Sequence, residues 1–297
     1  MNSPEQLAPK RIPIVQLCYV RLAVSQPELA ATFATEILGL QHVPNKLEPF
    51  LFRSDERYHT LCLTTGTDRS SIGIEIASEL DLDRTATALA SGGFSARDAT
   101  ADECAQRFVR RALIVDDATG NEIDLVVRPA QSGRHYFPSR DAGVTGLQSV
   151  GLRSRAMQED LRLWTTILDA KVTDRVGEVA YLGIDQKHHR IVLYPSDKPG
   201  LVYVSYSVES MDAVMLNNYF VQERQIKIVQ GPGREPSSGQ VFLRFAGPEG
   251  HIFSYGHGLK DIDSRHRPRQ FAAETSSFCE WGSECADIAE LRPAKIG

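Results

Sequence analysis

Residues 13–24 (PIVQLCYVRLAV) form a β-rich run in which apolar and polar positions partly alternate, as in a half-buried strand. Ser25, Pro27 and Glu28 then read as a helix start, with Ser25 as N-cap, a proline in the first turn and an acid three residues after the cap. Leu29, Phe33, Ile37 and Leu38 recur at helical spacing, and Gly39 stands where a helix C-cap is expected. Short apolar runs at 50–52, 59–64 and 72–77 predict strands. A helix is predicted over 81–90, closed by Gly92 and Gly93, and strands near 107–116 and 122–127 complete the first half. The second half repeats this plan. A strand at 146–152 leads into a helix over 157–167 with Leu161, Trp164, Ile167 and Leu168 on one side, followed by strands at 178–184, 189–194 and 200–208. A helix over 211–224 and a Gly/Pro/Ser loop at 231–239 precede a last strand pair.

The two halves are related by a constant shift. Residues 248–256 (PEGHIFSYG) are a Pro/Gly turn feeding an apolar strand, and 130 positions earlier residues 118–125 (ATGNEIDL) have the same form, with Gly120 under Gly250. The same shift lays Leu147 on Leu17, Val150 on Val20, Leu152 on Leu22 and Leu168 on Leu38. An offset held from first strand to last indicates duplication. The expected organisation is a leader (1–12), a first domain (13–130), a polar linker (131–143), a second domain (144–258) and a tail (259–297) whose aromatics pack it back on the body.

Composition narrows the functional classes. A chain of 297 residues with 42% hydrophobic and 24% charged residues is ordinary for a globular protein, and a net charge of −5 argues against broad nucleic-acid binding. The five cysteines (Cys18, Cys62, Cys104, Cys279, Cys285) form no CxxC pair and read as free thiols of a reducing compartment. No apolar run approaches a membrane span, so a cytoplasmic protein is expected. Phosphate-loop, nucleophile-elbow and dinucleotide motifs are absent.

The duplicated plan, with the phrases Gly146-Leu147-x-x-Val150, Gly200-Leu201 and Pro248-x-Gly250…Tyr255-Gly256, resembles the vicinal oxygen chelate superfamily (glyoxalases, bleomycin resistance proteins and dioxygenases). Within it the chain is most similar to two-domain type I extradiol catechol dioxygenases. The resemblance implies an α+β fold of two tandem domains, each of paired βαβββ modules forming a curled, half-barrel mixed sheet around a pocket. It also implies that the second domain holds the site, where the family binds iron through two histidines and a glutamate. Those three positions fall here on Ser149, Tyr203 and Ser254, which are poor ligands for Fe(II), so neither a metal nor another cofactor is expected. A family tyrosine falls at Arg244, and a family histidine and aspartate fall at Glu235 and Ser238. The family's acid/base histidine is matched by His189 of the His188-His189 pair, of which strand alternation allows only one to face a pocket.

These residues lead to one expectation with two alternatives. The first is a metal-independent enzyme acting on or binding a small aromatic, phenolic or enolic metabolite in the second domain, with His189 as the catalytic acid/base group. Ser149, Tyr203, Arg244 and Ser254 would contact the substrate, Arg244 as a guanidinium for a carboxylate or phenolate. The alternatives are a non-catalytic binding protein and a ring-cleaving dioxygenase with relocated ligands. Expected partners are the small molecule and further copies of the chain in a homo-oligomer, with no nucleic acid and no membrane.

Overall fold

Ten residues that alternate and then run apolar give the first strand, β1 (Ile14–Ala23), and its neighbours build outward from it. The computed structural model describes residues 13–66 and 69–293; the expected leader at 1–12 lies outside them. The first half adds β2 (Gln41–Val43), β3 (Leu51–Arg53), β4 (Leu61–Thr64), β5 (Ser71–Ile76), β6 (Ala96–Asp98), β7 (Arg111–Asp116) and β8 (Glu122–Val127). They form an eight-stranded sheet in the order β2-β3-β4-β1-β5-β8-β7-β6. The second half has β9 (Val144–Ser154), β10 (Lys171–Val176), β11 (Val179–Gly183), β12 (Ile191–Pro195), β13 (Leu201–Val208), β14 (Ile228–Arg234), β15 (Val241–Ala246) and β16 (Ile252–His257). With β17 (Arg269–Phe271) from the tail they form a nine-stranded sheet, β14-β15-β16-β13-β9-β12-β11-β10-β17.

In both sheets the modules meet at an antiparallel seam, β1 with β5 and β9 with β13, while β1–β4, β5–β8, β9–β12 and β13–β16 are parallel pairs. This is the expected mixed α+β architecture of paired βαβββ modules, and neither sheet closes into a barrel.

The longer helices are α1 (Pro27–Thr32), α2 (Glu79–Ser91), α3 (Ala101–Arg107), α4 (Met157–Arg162) and α5 (Met211–Glu223); α6 (Thr275–Phe278) is a single turn in the tail. Ala34 and Leu38 beyond α1, Leu82 and Leu89 of α2, Leu163 and Trp164 beyond α4, and Val214 and Val221 of α5 join strand residues of both halves in one apolar layer. The opposite face of the second sheet carries Tyr181, Tyr194, Tyr203 and Ile252, and there Phe278, Cys285 and Leu291 of the tail cover it.

Local expectations were corrected in four places. The start of α1 is capped not by Ser25 but by Glu249 of the other half, whose carboxylate accepts from Ser25 N, Ser25 Oγ and Gln26 N at 2.8–2.9 Å. A carboxylate satisfies several terminal N–H groups at once, where a hydroxyl satisfies one. Leu29 is exposed, not inward. The run at 107–116 is the end of helix α3 followed by strand β7, since Thr100 and Glu103 form a reciprocal capping box ahead of Ala101. Finally, Trp281 of the tail is 45% exposed although Phe278 is buried.

Candidate functional site

The register of the second sheet sets Gln230, Arg244, Ser254, Ser205 and Ser149 abreast on β14, β15, β16, β13 and β9. Laterally paired residues point to one face, so these polar side chains form a row across the sheet's inner side. Tyr203 lies two residues from Ser205 on the same face, and its ring lies against Gly151, where an added Cβ would come within 2.8 Å of the ring. The Arg244 guanidinium lies 5.0 Å from the Tyr203 ring centre, and Tyr194 stands edge-on to Tyr203 at 6.1 Å. Ser149, His189, Tyr203, Arg244 and Ser254 are each at most 3% exposed. Ser149, Tyr203, Arg244 and Ser254 thus share one buried face of the second sheet, and His189 lies against Tyr181 of that face with ring centres 5.1 Å apart.

Their hydrogen bonding is incomplete. His189 Nε2, Arg244 Nε and Gln240 Oε1 are buried without a partner, whereas Ser149 and Tyr194 lie close enough to the Tyr203 phenol to act on it, without a well-formed hydrogen bond. Each such group costs about 1–3 kcal/mol if nothing meets it. Ser254 Oγ makes one long bond, 3.5 Å, to Tyr255 O. Burial pushes the Tyr203 phenol up to about 12, with Arg244 pulling the other way, so the phenol keeps its proton at neutral pH.

Arg244 is not the open anion receptor that its position suggests. Its Nη2 donates to Glu235 Oε1 at 2.7 Å and its Nη1 to Gln230 Oε1 at 2.5 Å. Glu235 in turn accepts from Ser238 Oγ and Gln240 Nε2, both at 2.8 Å. The guanidinium charge is neutralised inside the protein, and only Nε is left for a ligand. Arg234, by contrast, is half-exposed beside Glu280.

The paired histidines precede β12, which begins at Ile191, so they lie in a turn and strand alternation does not set their directions. Both are fully buried. Their rings meet through Nδ1 atoms 3.1 Å apart, and His188 Nε2 lies 3.0 Å from Asp174 Oδ2. Burial, reinforced by His188, Arg190 and Arg244, holds the His189 imidazole well below its usual pKa. Burial lowers His188 as well, against the pull of Asp174. Burial raises the Asp174 carboxyl, but hydrogen bonds from His188 and Arg269 outweigh it and keep the group ionised.

Asp174, the partner of His188, is a residue that the sequence did not disclose. Together with His266, three potential metal donors lie within 4.8 Å of one another. The Arg269 guanidinium already occupies that carboxylate, donating to Oδ1 and Oδ2 at 3.3–2.5 Å, and His266 Nε2 bonds Thr173 O at 2.9 Å. A cation would have to displace another cation there. Asp174, His188 and His266 are separated by 14 and 78 positions, so no short motif announces them.

Two cavities of the second half are lined by none of Ser149, His189, Tyr203, Arg244 and Ser254. One of about 500 Å³ lies under the tail, lined by Gln230, Phe278, Ser283, Cys285 and Leu291, and Gln230 links it directly to Arg244. The other, an open trough of about 890 Å³, is bordered by Lys171, Asp185, Asp261 and His266.

Comparison with known proteins places this geometry. The Glyoxalase/Bleomycin resistance protein/Dioxygenase superfamily profile matches residues 146–255. An iron-dependent extradiol dioxygenase of Rhodococcus jostii (strain RHA1) is 22% identical over 294 residues, covering 91% of this chain and 97% of that one. The homoprotocatechuate 2,3-dioxygenase of Brevibacterium fuscum, solved with 3,4-dihydroxyphenylacetate, superposes with a TM-score of 0.83 at 18% identity, over 94% of this chain and 92% of that one. The Mn(II)-bound glyoxalase of Novosphingobium aromaticivorans gives a TM-score of 0.82 at 20% identity, over 97% and 96%.

Two of these relatives are named for a metal, iron in one and Mn(II) in the other, and the resemblance puts the family's ligand positions at Ser149, Tyr203 and Ser254. Ser149 and Ser254 offer neutral hydroxyls, Tyr203 a phenol that stays protonated, and the buried Arg244 guanidinium lies against the Tyr203 ring. That donor set does not fit a divalent cation.

Proposed function

From the premise that this chain carries a glyoxalase/bleomycin resistance protein/dioxygenase superfamily domain and folds like an extradiol catechol dioxygenase, we propose that it binds and transforms a small aromatic or enolic hydroxy compound without a metal. The observation that carries this reading is the two unpartnered buried atoms His189 Nε2 and Arg244 Nε, beside the neighbouring Tyr203 and Ser149 hydroxyls, at the positions where the resemblance puts metal and substrate. Each unmet atom would cost about 1–3 kcal/mol if nothing met it, and a polar ligand or water repays that cost. His189 is the proton-handling group: its ring is neutral, buried and directed by His188. Tyr203 and Ser149 can donate to a ligand oxygen, and Arg244 Nε adds a charge-assisted bond.

The reading is tested by screening phenols, catechols and aromatic acids by thermal shift and following any ligand by mass spectrometry. His189→Ala is expected to leave affinity within a few-fold and cut turnover by roughly 10²–10⁴. A ligand that binds tightly and is recovered unchanged from the wild type makes the protein a binder. The relocated-ligand alternative has one supporting observation, the Asp174, His188 and His266 group. About one iron per chain, lost in His266→Ala, would establish it instead.

A further inference from the structure

We propose that Asp174 and His188 are positioning residues that fix the His189 ring with a bare Nε2 aimed into the buried layer, so that the site selects ligands presenting an O–H donor there. The proposal rests on the reading of that layer as a ligand site, and deepens it by naming the chemistry of the ligand atom.

Asp174 is an acceptor, held ionised by Arg269, so the 3.0 Å contact requires His188 to carry its proton on Nε2. A neutral His188 then has a bare Nδ1, which can only accept across the 3.1 Å contact, and His189 must donate from Nδ1. A neutral His189 that carries its proton on Nδ1 has a lone pair on Nε2, the atom without a partner. Burial lowers both imidazoles, so both rings are neutral at neutral pH. The groups facing the His189 ring are His188, Arg190, Arg244 and the edge of Tyr181, whose ring centre is 5.1 Å away. None of them supplies an anion for an imidazolium, and Asp174 reaches it only through His188.

A phenol or enol O–H suits this arrangement, because it donates to Nε2, whereas a carboxylate or phenolate oxygen would face lone pair against lone pair. When the ligand hydroxyl gives up its proton, the proton bonds to His189 Nε2 and the electron pair stays on the ligand oxygen. The His189 Nδ1–H keeps donating to His188 Nδ1, and the ionised Asp174 keeps accepting from His188 Nε2, so the imidazolium formed at His189 pairs with the oxyanion left on the ligand.

The test reads the tautomers directly. In the full chain with 15N-labelled histidine at neutral pH, two-bond correlation spectra should show His189 protonated on Nδ1 and bare on Nε2, and His188 the reverse; His188→Asn and His189→Asn assign the signals. Asp174→Asn should raise the population of His189 protonated on Nε2, and Asp174→Glu should restore the wild-type pattern. Titration with 4-nitrophenol below its own pKa should shift the His189 Nε2 signal, and His189→Phe should weaken that binding about fivefold for one lost hydrogen bond. A wild-type His189 protonated on Nε2, or tautomers unmoved in Asp174→Asn, overturns the hydrogen-bond chain whatever the site binds. Stoichiometric zinc(II) that removes the His188 and His266 signals overturns it too, since a cation on Asp174 would take the lone pair that chain uses. Correct tautomers with no response to 4-nitrophenol overturn instead the ligand-site reading, and with it the assignment of a hydroxyl donor.

Discussion

At the scale of single residues, the duplication supplies an internal control. The 130-residue shift sets Tyr19 under Ser149, His59 under His189 and Asp124 under Ser254. In the first half Asp124 gathers the positions: Tyr19 OH and Ser71 Oγ donate to Oδ2 at 2.9 and 3.0 Å, and Arg107 Nε does so at 2.9 Å. In the second half a serine, Ser254, stands where that carboxylate would be, and the neighbouring hydroxyls have no such acceptor. His59 is stacked on Tyr19 at 4.8 Å, and burial, with Arg21 and Arg57 nearby, lowers it to about 3. The unfolded chain protonates that histidine near 6.5 and the folded chain does not. Its contribution is therefore present above pH 6.5 and lost as pH falls from there toward 3. His59→Phe keeps the stacked ring and removes the titration, so its stability should fall less than that of the wild type between pH 7 and pH 5. Urea denaturation at several pH values checks this, and parallel pH curves would exclude His59 as a source of acid lability.

At the scale of elements, what the sequence disclosed depended on how local the signal was. The Pro/Gly turns before β8 and β16 are fixed by a few adjacent residues, so the duplication and the strand order could be read directly. Helix α3 was missed because it buries only Arg107 and has no apolar stripe, although Thr100 and Glu103 spell its capping box. The cap on α1 was misassigned for the opposite reason. Ser25 has the right identity and spacing, but Glu249, 224 positions away, supplies the acceptor. Glu249→Ala should therefore cost about 0.5–1 kcal/mol as a lost cap, a fall in melting temperature of about 1–4 °C, with Ser25→Ala costing less. Because the Ser25 and Gln26 N–H groups lower the Glu249 carboxyl, its contribution should fade as the pH drops through the range where that carboxyl protonates. Equal melting points for Glu249→Ala and wild type would show that water caps the helix as well.

At the scale of the whole molecule, the inner face of the second sheet is completed by the tail, and this was only half legible. Aromatic residues in the tail signalled packing on the body, yet Phe278 and Trp281 look equivalent in sequence and differ in place. Phe278 is 8% exposed within the cluster that includes Tyr181, Tyr194 and Tyr203, whereas Trp281 is 45% exposed at the rim. The same tail strand, β17, pairs with β10 and brings Arg269 onto Asp174, so it supports the histidine pair as well as the wall of the site. Phe278→Ala removes a buried ring from between sheet and tail and should cost about 3–5 kcal/mol in urea denaturation, in the range of core aromatic truncations. It should also enlarge the adjoining cavity of about 500 Å³ and loosen Gln230, which bonds both Ser283 O and Arg244. Trp281→Ala should stay within about 0.5 kcal/mol of the wild type, as a surface change does. The His189 ring signals should move in Phe278→Ala and hold still in Trp281→Ala, because only the first change reaches the layer through Gln230 and Arg244. If both variants cost the same and leave those signals alone, the tail is a cover without influence on the site, and the link from tail to Arg244 is wrong.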